Sequence, residues 1–180
     1  PELLALNDPW DPQTNGQYRL DDVALFNKRY YLYHGAAPAI LLFAPWRLLT
    51  GRDLPENFAL FLLCFAAYVF WAGSLMGLLN RARAHVSVPL FVAMLSGVAF
   101  CQGIPFLLNR VWVYEIAIAA GALAVGAGTW SLIQASDAKH SRWWLAASGV
   151  CFGLSIACRP HLALTAAVAA GAIFAGAADG

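Results

Sequence analysis

Residues 58–79 form one apolar run without a charged side chain. A helix needs about 20 predominantly apolar residues to cross the hydrocarbon core of a bilayer, and this run is long enough. Hydrophobic residues make up 61% of the chain and charged residues 12%, whereas soluble domains have about 45–50% and about 25%. A chain of this size cannot bury so much apolar surface within itself. The sequence therefore predicts an all-α, polytopic transmembrane helical bundle rather than a soluble domain.

Five apolar segments separated by short polar turns are predicted to cross the membrane. They are residues 57–79, 86–108, 111–135, 143–158 and 161–178, and together they form a predicted transmembrane domain over 57–180. Small residues recur at four-residue spacing in the later segments, a pattern that allows close helix packing in lipid. These residues are Ala120, Ala124, Gly128, Gly149, Gly153 and Ala157.

Residues 1–56 are predicted to form an extracytoplasmic loop with a juxtamembrane helix. Residues 1–29 are acidic and rich in turn-forming residues, which indicates a loop. Residues 30–50 are aromatic and amphipathic, but they are interrupted by Pro38 and Pro45 and are too short in apolar residues to cross. We interpret them as an interfacial helix, followed by a turn over 51–56. If residues 30–50 crossed the membrane instead, the orientation of all later helices would be reversed relative to the loop.

Charge in the short loops predicts the orientation. Arg81, Arg83, Lys139 and Arg142 lie in loops that share one side of the membrane, and the positive-inside rule makes that side cytoplasmic. The acidic loop and Arg159 then face outward. We expect an integral protein of the bacterial inner (cytoplasmic) membrane.

Other features of the composition restrict the function. The net charge is +1 and no basic run is present, so we expect no nucleic-acid partner. The four cysteines lie in apolar runs without CxxC spacing, so we interpret them as buried apolar residues. The chain begins at Pro1 and ends soon after an apolar run, and we expect it to be part of a longer protein.

Two ionisable residues interrupt the apolar segments, Glu115 and Arg159. A charged side chain near a helix centre costs about 2.5–3.5 kcal/mol on insertion scales, so such residues often mark functional sites. Either residue could instead extend to the interface or belong to a structural pair. Arg159 precedes Pro160 with almost no loop, and a guanidinium held there would suit a lipid phosphate.

The segment before the first apolar run offers further candidates. Asp8, Asp11, Asp21 and Asp22 could supply a general base beside the membrane, although Asp-Pro pairs and Asp21-Asp22 are also ordinary turn and helix-start residues. His34 follows a run of tyrosines that could line a sugar site or form an interfacial aromatic belt.

This order of features resembles the GT-C type of membrane glycosyltransferases, a group that includes protein O-mannosyltransferases and lipid A aminoarabinose transferases. The resemblance is carried by the His- and Pro-containing stretch 33–42 (YHGAAPAILL), the turn 49–56 (LTGRDLPE), and the stretches 113–117 (VYEIA) and 153–160 (GLSIACRP). The doubled proline typical of the first stretch is Ala37-Pro38 here. The family's first span, which carries the catalytic acid at its end, has no counterpart in this chain.

The resemblance implies transfer of a sugar from a polyprenyl-phosphate donor to an extracytoplasmic acceptor. By position, Asp8 or Asp11 would activate the acceptor, with Asp22 as the next match. Arg159, with His34, Arg47 and Glu115, would form the site for the substrate and its lipid phosphate. Membrane lipid would be a further partner. Some members use a divalent metal, and the sequence contains no ligand set that secures one.

Two other functions fit the same sequence. A transporter or flippase for a lipid-linked or small polar substrate would use Glu115 and Arg159 within the membrane. It should show inverted repeats and broken helices at matching positions, but the sequence shows one strong break, at Arg159-Pro160. A non-catalytic membrane scaffold would need only the small-residue packing.

Overall fold

The computed structural model describes residues 23–27, 29–32, 35–109, 113–136 and 141–178. It divides into two compact units, residues 1–34 and residues 35–180. The second unit is helical throughout its described residues, which confirms the expected helical class for that part of the chain.

The first unit contains a two-stranded antiparallel hairpin, β1 (Val23–Phe26) and β2 (Arg29–Leu32). Phe26 pairs with Arg29, which leaves a two-residue turn, and Asn27 in that turn has a φ of 48°. Asparagine tolerates this left-handed conformation, and two-residue hairpin turns require it. The expectation of a loop up to residue 29 and a helix from residue 30 was therefore wrong over 23–32, because the β-branched and aromatic residues flank a turn-forming Asn.

The second unit opens with an irregular helical segment. A π-helical turn, Ala39–Phe43, runs into α1 (Ala44–Thr50). Pro45 has no N–H to donate, so one backbone hydrogen bond is missing where the π-helical turn joins α1. The segment ends at Gly51, whose φ of 68° is a left-handed helix cap. Leu54 is then buried, which fixes the turn onto the helices that follow.

Six further helices follow in the described part of the second unit. They are α2 (Glu56–Arg81), α3 (Val88–Cys101), α4 (Ile104–Asn109), α5 (Val113–Ala135), α6 (Ser141–Cys158) and α7 (Ala163–Ala178), with a 3-10 turn at Pro160–Leu162 between the last two. The predicted membrane segment 86–108 is divided into α3 and α4. Gly103 has a φ of 67° at the division, and Pro105 cannot donate a backbone hydrogen bond.

Helices α2, α5 and α6 pack together as the centre of the unit. The indole nitrogen of Trp71 donates to the carbonyl oxygen of Ala122 (3.3 Å), and further along both helices Arg81 donates to the carbonyl oxygen of Ile133. Because these contacts advance in the same direction on α2 and α5, the two helices run parallel. The Ser148 hydroxyl on α6 donates to the carbonyl oxygen of Gly128 (2.9 Å).

Small residues allow this packing on one of the two predicted faces. A Cβ on Gly126 would lie 2.7 Å from the Trp71 ring, and one on Gly128 would lie 3.1 Å from the Phe152 ring. A Cβ added to Gly149 or Gly153 would have no neighbouring atom within 4 Å in the described part of the chain. The face that contains Gly128 is therefore packed inside the unit, and the face of Gly149 and Gly153 is open.

Among the residues that the structure describes, two helices are long and apolar enough to cross a membrane by length and composition, Glu56–Arg81 and Tyr114–Ala135. Large apolar side chains are exposed on the surface of the unit, including Phe100, Phe106, Val150 and Leu164. An apolar surface of this kind is typical of contact with lipid.

Candidate functional site

Arg159 lies at the break between α6 and the 3-10 turn. Its backbone is extended (φ −150°, ψ 115°), as expected for a residue before a proline. Its amide still donates to the carbonyl oxygen of Ser155 (2.9 Å), so the last turn of α6 remains closed. The Arg-Pro sequence thus ends the helix at a defined point and fixes where the arginine side chain begins.

The guanidinium of Arg159 lies over Tyr114, the second residue of α5. Its Cζ atom is 3.9 Å from the centre of the Tyr114 ring, and its Nη2 donates to the Tyr114 carbonyl oxygen at 3.2 Å. A cation over an aromatic face contributes roughly 0.5–2 kcal/mol, more when it is shielded from water. Two contacts with one residue hold the planar guanidinium against the first turn of α5.

The guanidinium keeps donors for another group. Within the described residues, the Nε atom of Arg159 is buried and has no hydrogen-bond partner. A buried donor without an acceptor costs about 1–3 kcal/mol, and more when it is charged. An anionic oxygen at this position would accept from Nε and could engage the guanidinium bidentately. The geometry therefore favours an anion-binding site at Arg159.

An apolar cavity of about 360 Å³ begins at the neighbouring residue, Cys158. It lies between the segment at the start of the second unit and helices α2, α5 and α6. Its lining is formed by Ala37, Pro38, Leu41, Leu42, Leu63, Phe70, Ala120, Leu123, Ala124, Ala127, Cys151, Leu154 and Cys158. Below, this cavity is called the apolar groove. Arg159 directly follows Cys158 in the wall of this groove, and a cation combined with an apolar groove suits an anionic head group with a hydrocarbon chain.

Glu115 is half-buried and lines a second cavity, of about 470 Å³. Gln102 and Asn109 lie in its wall, at the α3–α4 division and at the end of α4. Glu115 follows Tyr114 directly, so the second cavity and the Arg159 site share the first turn of α5. This end of the helical unit thus collects the polar side chains that interrupt the apolar segments.

Arg47 is placed differently from Arg159. Its Nη1 lies 3.0 Å from Oδ1 of Asp53, and both side chains are largely exposed, at 72% and 81%. Exposed pairs of this kind contribute about 0–1 kcal/mol to stability. No contact among the described residues joins Arg47 to Arg159. The remaining predicted site residues, Asp8, Asp11, Asp22 and His34, lie outside the described residues.

Within the ranges that the structure describes, no three His, Cys, Asp or Glu side chains come together as a set of metal ligands. The carboxylates of the acidic segment 1–22 lie outside those ranges.

Sequence reasoning did not assign Tyr114, Gln102 or Asn109 to the site. In the sequence, Tyr114 is marked only by being next to Glu115. Its contact with Arg159 depends on the antiparallel packing of α5 and α6. Gln102 and Asn109 flank Gly103 and Pro105. Two amide side chains around these helix-breaking residues, inside an apolar segment, were the sequence signal that could have indicated a site here.

Comparison with protein-family models, with curated proteins and with solved structures finds no match.

Proposed function

We propose that this chain belongs to a polytopic enzyme of the bacterial cytoplasmic membrane, a glycosyltransferase of the GT-C type. The enzyme takes a sugar from a polyprenyl-phosphate carrier and transfers it to an acceptor outside the cytoplasm. One observation carries the proposal: Arg159 has a buried Nε and a guanidinium held on Tyr114, and it directly follows Cys158, which lines the apolar groove. A polyprenyl phosphate has the matching chemistry, an anionic head on an isoprenoid chain.

The directions of the helices support several membrane crossings. Helices α2 and α5 run parallel, so the intervening α3 and α4 must return the chain to the side on which α2 began. Helix α6 then runs back toward the end that holds Tyr114 and Arg159. In this arrangement the helices alternate across the membrane, and Arg159, Tyr114 and Glu115 lie at the outward end.

The short segment before α2 fits an interfacial position. Residues 39–50 would span about 18 Å at 1.5 Å per residue, well short of the roughly 30 Å hydrocarbon core. The side chains of Leu48 and Leu49 are almost fully exposed, at 85% and 86%. An exposed apolar helix next to the outward end would rest in the head-group region with Trp46 at its surface.

The proposed reaction replaces one bond to the anomeric carbon with another and moves one proton. The acceptor oxygen attacks the anomeric carbon of the sugar while Asp8 or Asp11, with Asp22 as the third candidate, takes the acceptor's proton. The bond between the anomeric carbon and the phosphate oxygen breaks, and the phosphate leaves with the electron pair. Arg159 stabilises the additional negative charge on the leaving phosphate, which is where a fixed cation lowers the barrier.

Transfer of radiolabelled sugar tests this function. Membranes that contain the full-length protein are supplied with a labelled polyprenyl-phosphate sugar, and product is measured for the wild type and for Asp8→Asn, Asp11→Asn, Asp22→Asn and Arg159→Ala. We expect wild-type transfer, loss of at least about 100-fold for one Asp variant, and a loss of similar size for Arg159→Ala. Movement of labelled lipid across the membrane without transfer would support a flippase instead, and no consumption of donor would contradict the proposal.

A further inference from the structure

The second cavity lies where helices α3 and α4 divide. Gly103 turns the chain with a φ of 67°, and its carbonyl oxygen accepts from the amides of Phe106 and Leu107, both at 3.0 Å. The backbone hydrogen bonds of the division are therefore satisfied locally. The offset between the two helices opens a space of about 470 Å³ against the first turns of α5.

The lining of this cavity combines three polar side chains with one aromatic ring. Glu115 supplies carboxylate oxygens, Gln102 and Asn109 supply amides, and Phe106 supplies an exposed ring. Carboxylates accept hydrogen bonds, and amides both donate and accept them. Small-molecule sites typically have a few placed polar groups in a largely apolar wall, and this volume is within their usual range of about 300–1,000 Å³.

This set of groups suits a sugar ring. Each sugar hydroxyl both donates and accepts hydrogen bonds, so it can donate to the carboxylate of Glu115 and pair with the amides of Gln102 and Asn109. The C–H face of the ring is apolar and can pack on Phe106.

We propose, building on the proposed function, that this cavity receives the sugar of the lipid-linked donor while Arg159 holds its phosphate. The two sites meet on consecutive residues: Tyr114 lies under the guanidinium of Arg159, and Glu115 lines the cavity. A glycosyl phosphate has the same order, since its sugar is joined to the phosphorus through one oxygen. Glu115, Gln102 and Asn109 are then determinants of sugar recognition, and Arg159 is a determinant of lipid-phosphate binding.

Binding to the full-length protein in lipid nanodiscs separates these roles. The probes are a bare polyprenyl phosphate, the same lipid carrying a single hexose, and free methyl hexosides, and binding is measured by native mass spectrometry and by thermal shift. The cavity variants are Glu115→Gln, Gln102→Leu and Asn109→Leu, and Arg159→Ala reports on the phosphate site. Gln134→Leu is the matched control, since Gln134 is half-buried on α5 near its other end.

We expect the wild type to bind the hexosyl lipid more tightly than the bare lipid. Glu115→Gln should weaken hexosyl-lipid binding by about 10-fold or more, and each amide variant by about 3–10-fold. All three should bind the bare lipid within twofold of the wild type, as Gln134→Leu should with both lipids. Equal affinity for the two lipids, or cavity variants that bind the hexosyl lipid like the wild type, would overturn the inference.

The probes also distinguish this inference from the proposed function. If the bare lipid binds in an Arg159-dependent way and the sugar adds nothing, the sugar cavity is wrong and the phosphate site stands. If neither lipid binds but methyl hexosides protect the wild type and not Glu115→Gln, the sugar cavity stands and the lipid-linked donor is wrong.

Discussion

The backbone amide of Gly35 donates a hydrogen bond to the carbonyl oxygen of Cys158, with 3.1 Å between nitrogen and oxygen. Cys158 is the last residue of α6, and this contact satisfies one of the carbonyls that a helix leaves unpaired at its C-terminal end. The contact ties the beginning of the helical unit to the residue before Arg159. One backbone hydrogen bond therefore joins the segment that leads to α1, the proposed interfacial helix, to the residue before the proposed phosphate site.

Replacing Gly35 by alanine should disrupt this junction. A Cβ at Gly35 would overlap the carbonyl group of Ala157 and lie 2.7 Å from the carbonyl oxygen of Cys158. Backbone atoms cannot move aside as a flexible side chain can, so we expect Gly35→Ala to cost at least the roughly 1–3 kcal/mol typical of overpacking. Thermal unfolding of the detergent-purified protein measures the loss. Gly149→Ala is the control, since its Cβ would meet nothing within 4 Å, and equal melting temperatures for both variants would contradict the junction.

Two buried serines on α6 make different hydrogen bonds. Ser148 donates across to the carbonyl oxygen of Gly128 on α5 at 2.9 Å, whereas Ser155 donates to Phe152 in its own helix at 2.7 Å. Ser148→Ala should therefore weaken the α5–α6 contact by about 0.6–1.7 kcal/mol, the range of hydrogen bonds between helices in membranes. Ser155→Ala removes only a local bond and should cost less. Denaturant unfolding of both variants checks this order, and a larger loss for Ser155→Ala would show that the interhelical bond is not the important one.

The proposed topology predicts which loops can be labelled from outside. In a background with Cys64, Cys101, Cys151 and Cys158 replaced by alanine, the Arg52→Cys and His85→Cys variants each carry one thiol. Both positions are exposed in the structure. A membrane-impermeant maleimide applied to intact cells should label Arg52→Cys, and should label His85→Cys only after permeabilisation. The reverse pattern would mean that the helices have the opposite orientation.

The helices were predictable where the sequence is continuously apolar and bounded by charges. The run over 58–79 between Glu56 and Arg81 corresponds to α2, and the observed helices near 113–135 and 141–158 begin and end close to the predicted segments. Hydrophobicity alone did not show that the second segment divides at Gly103, because apolar residues continue on both sides of Gln102 and Gly103. The hairpin at 23–32 was missed because its polar turn residues are also those of an irregular loop.

The candidate site was predictable only through its charges. Arg159 and Glu115 stand out because ionisable residues are costly in apolar segments. Tyr114, Gln102 and Asn109 carry no such cost, and their roles come from tertiary packing: the antiparallel α5–α6 pair places the Tyr114 ring under Arg159, and the α3–α4 division opens the cavity beside Glu115. Spacing along the chain does not encode either relationship.

The affinity of the full-length protein for a polyprenyl phosphate, with and without the guanidinium of Arg159, tests the central claim most directly. Binding in nanodiscs is compared for the wild type, Arg159→Ala, Arg159→Lys and Arg52→Ala. Arg52→Ala is the control, because Arg52 is exposed and its replacement removes the same single positive charge as Arg159→Ala. We predict that Arg159→Ala weakens binding by about 10–100-fold, that Arg159→Lys recovers only part of it because lysine cannot bind bidentately, and that Arg52→Ala binds like the wild type. Equal affinity for the wild type and Arg159→Ala, in variants that remain folded, would contradict the account.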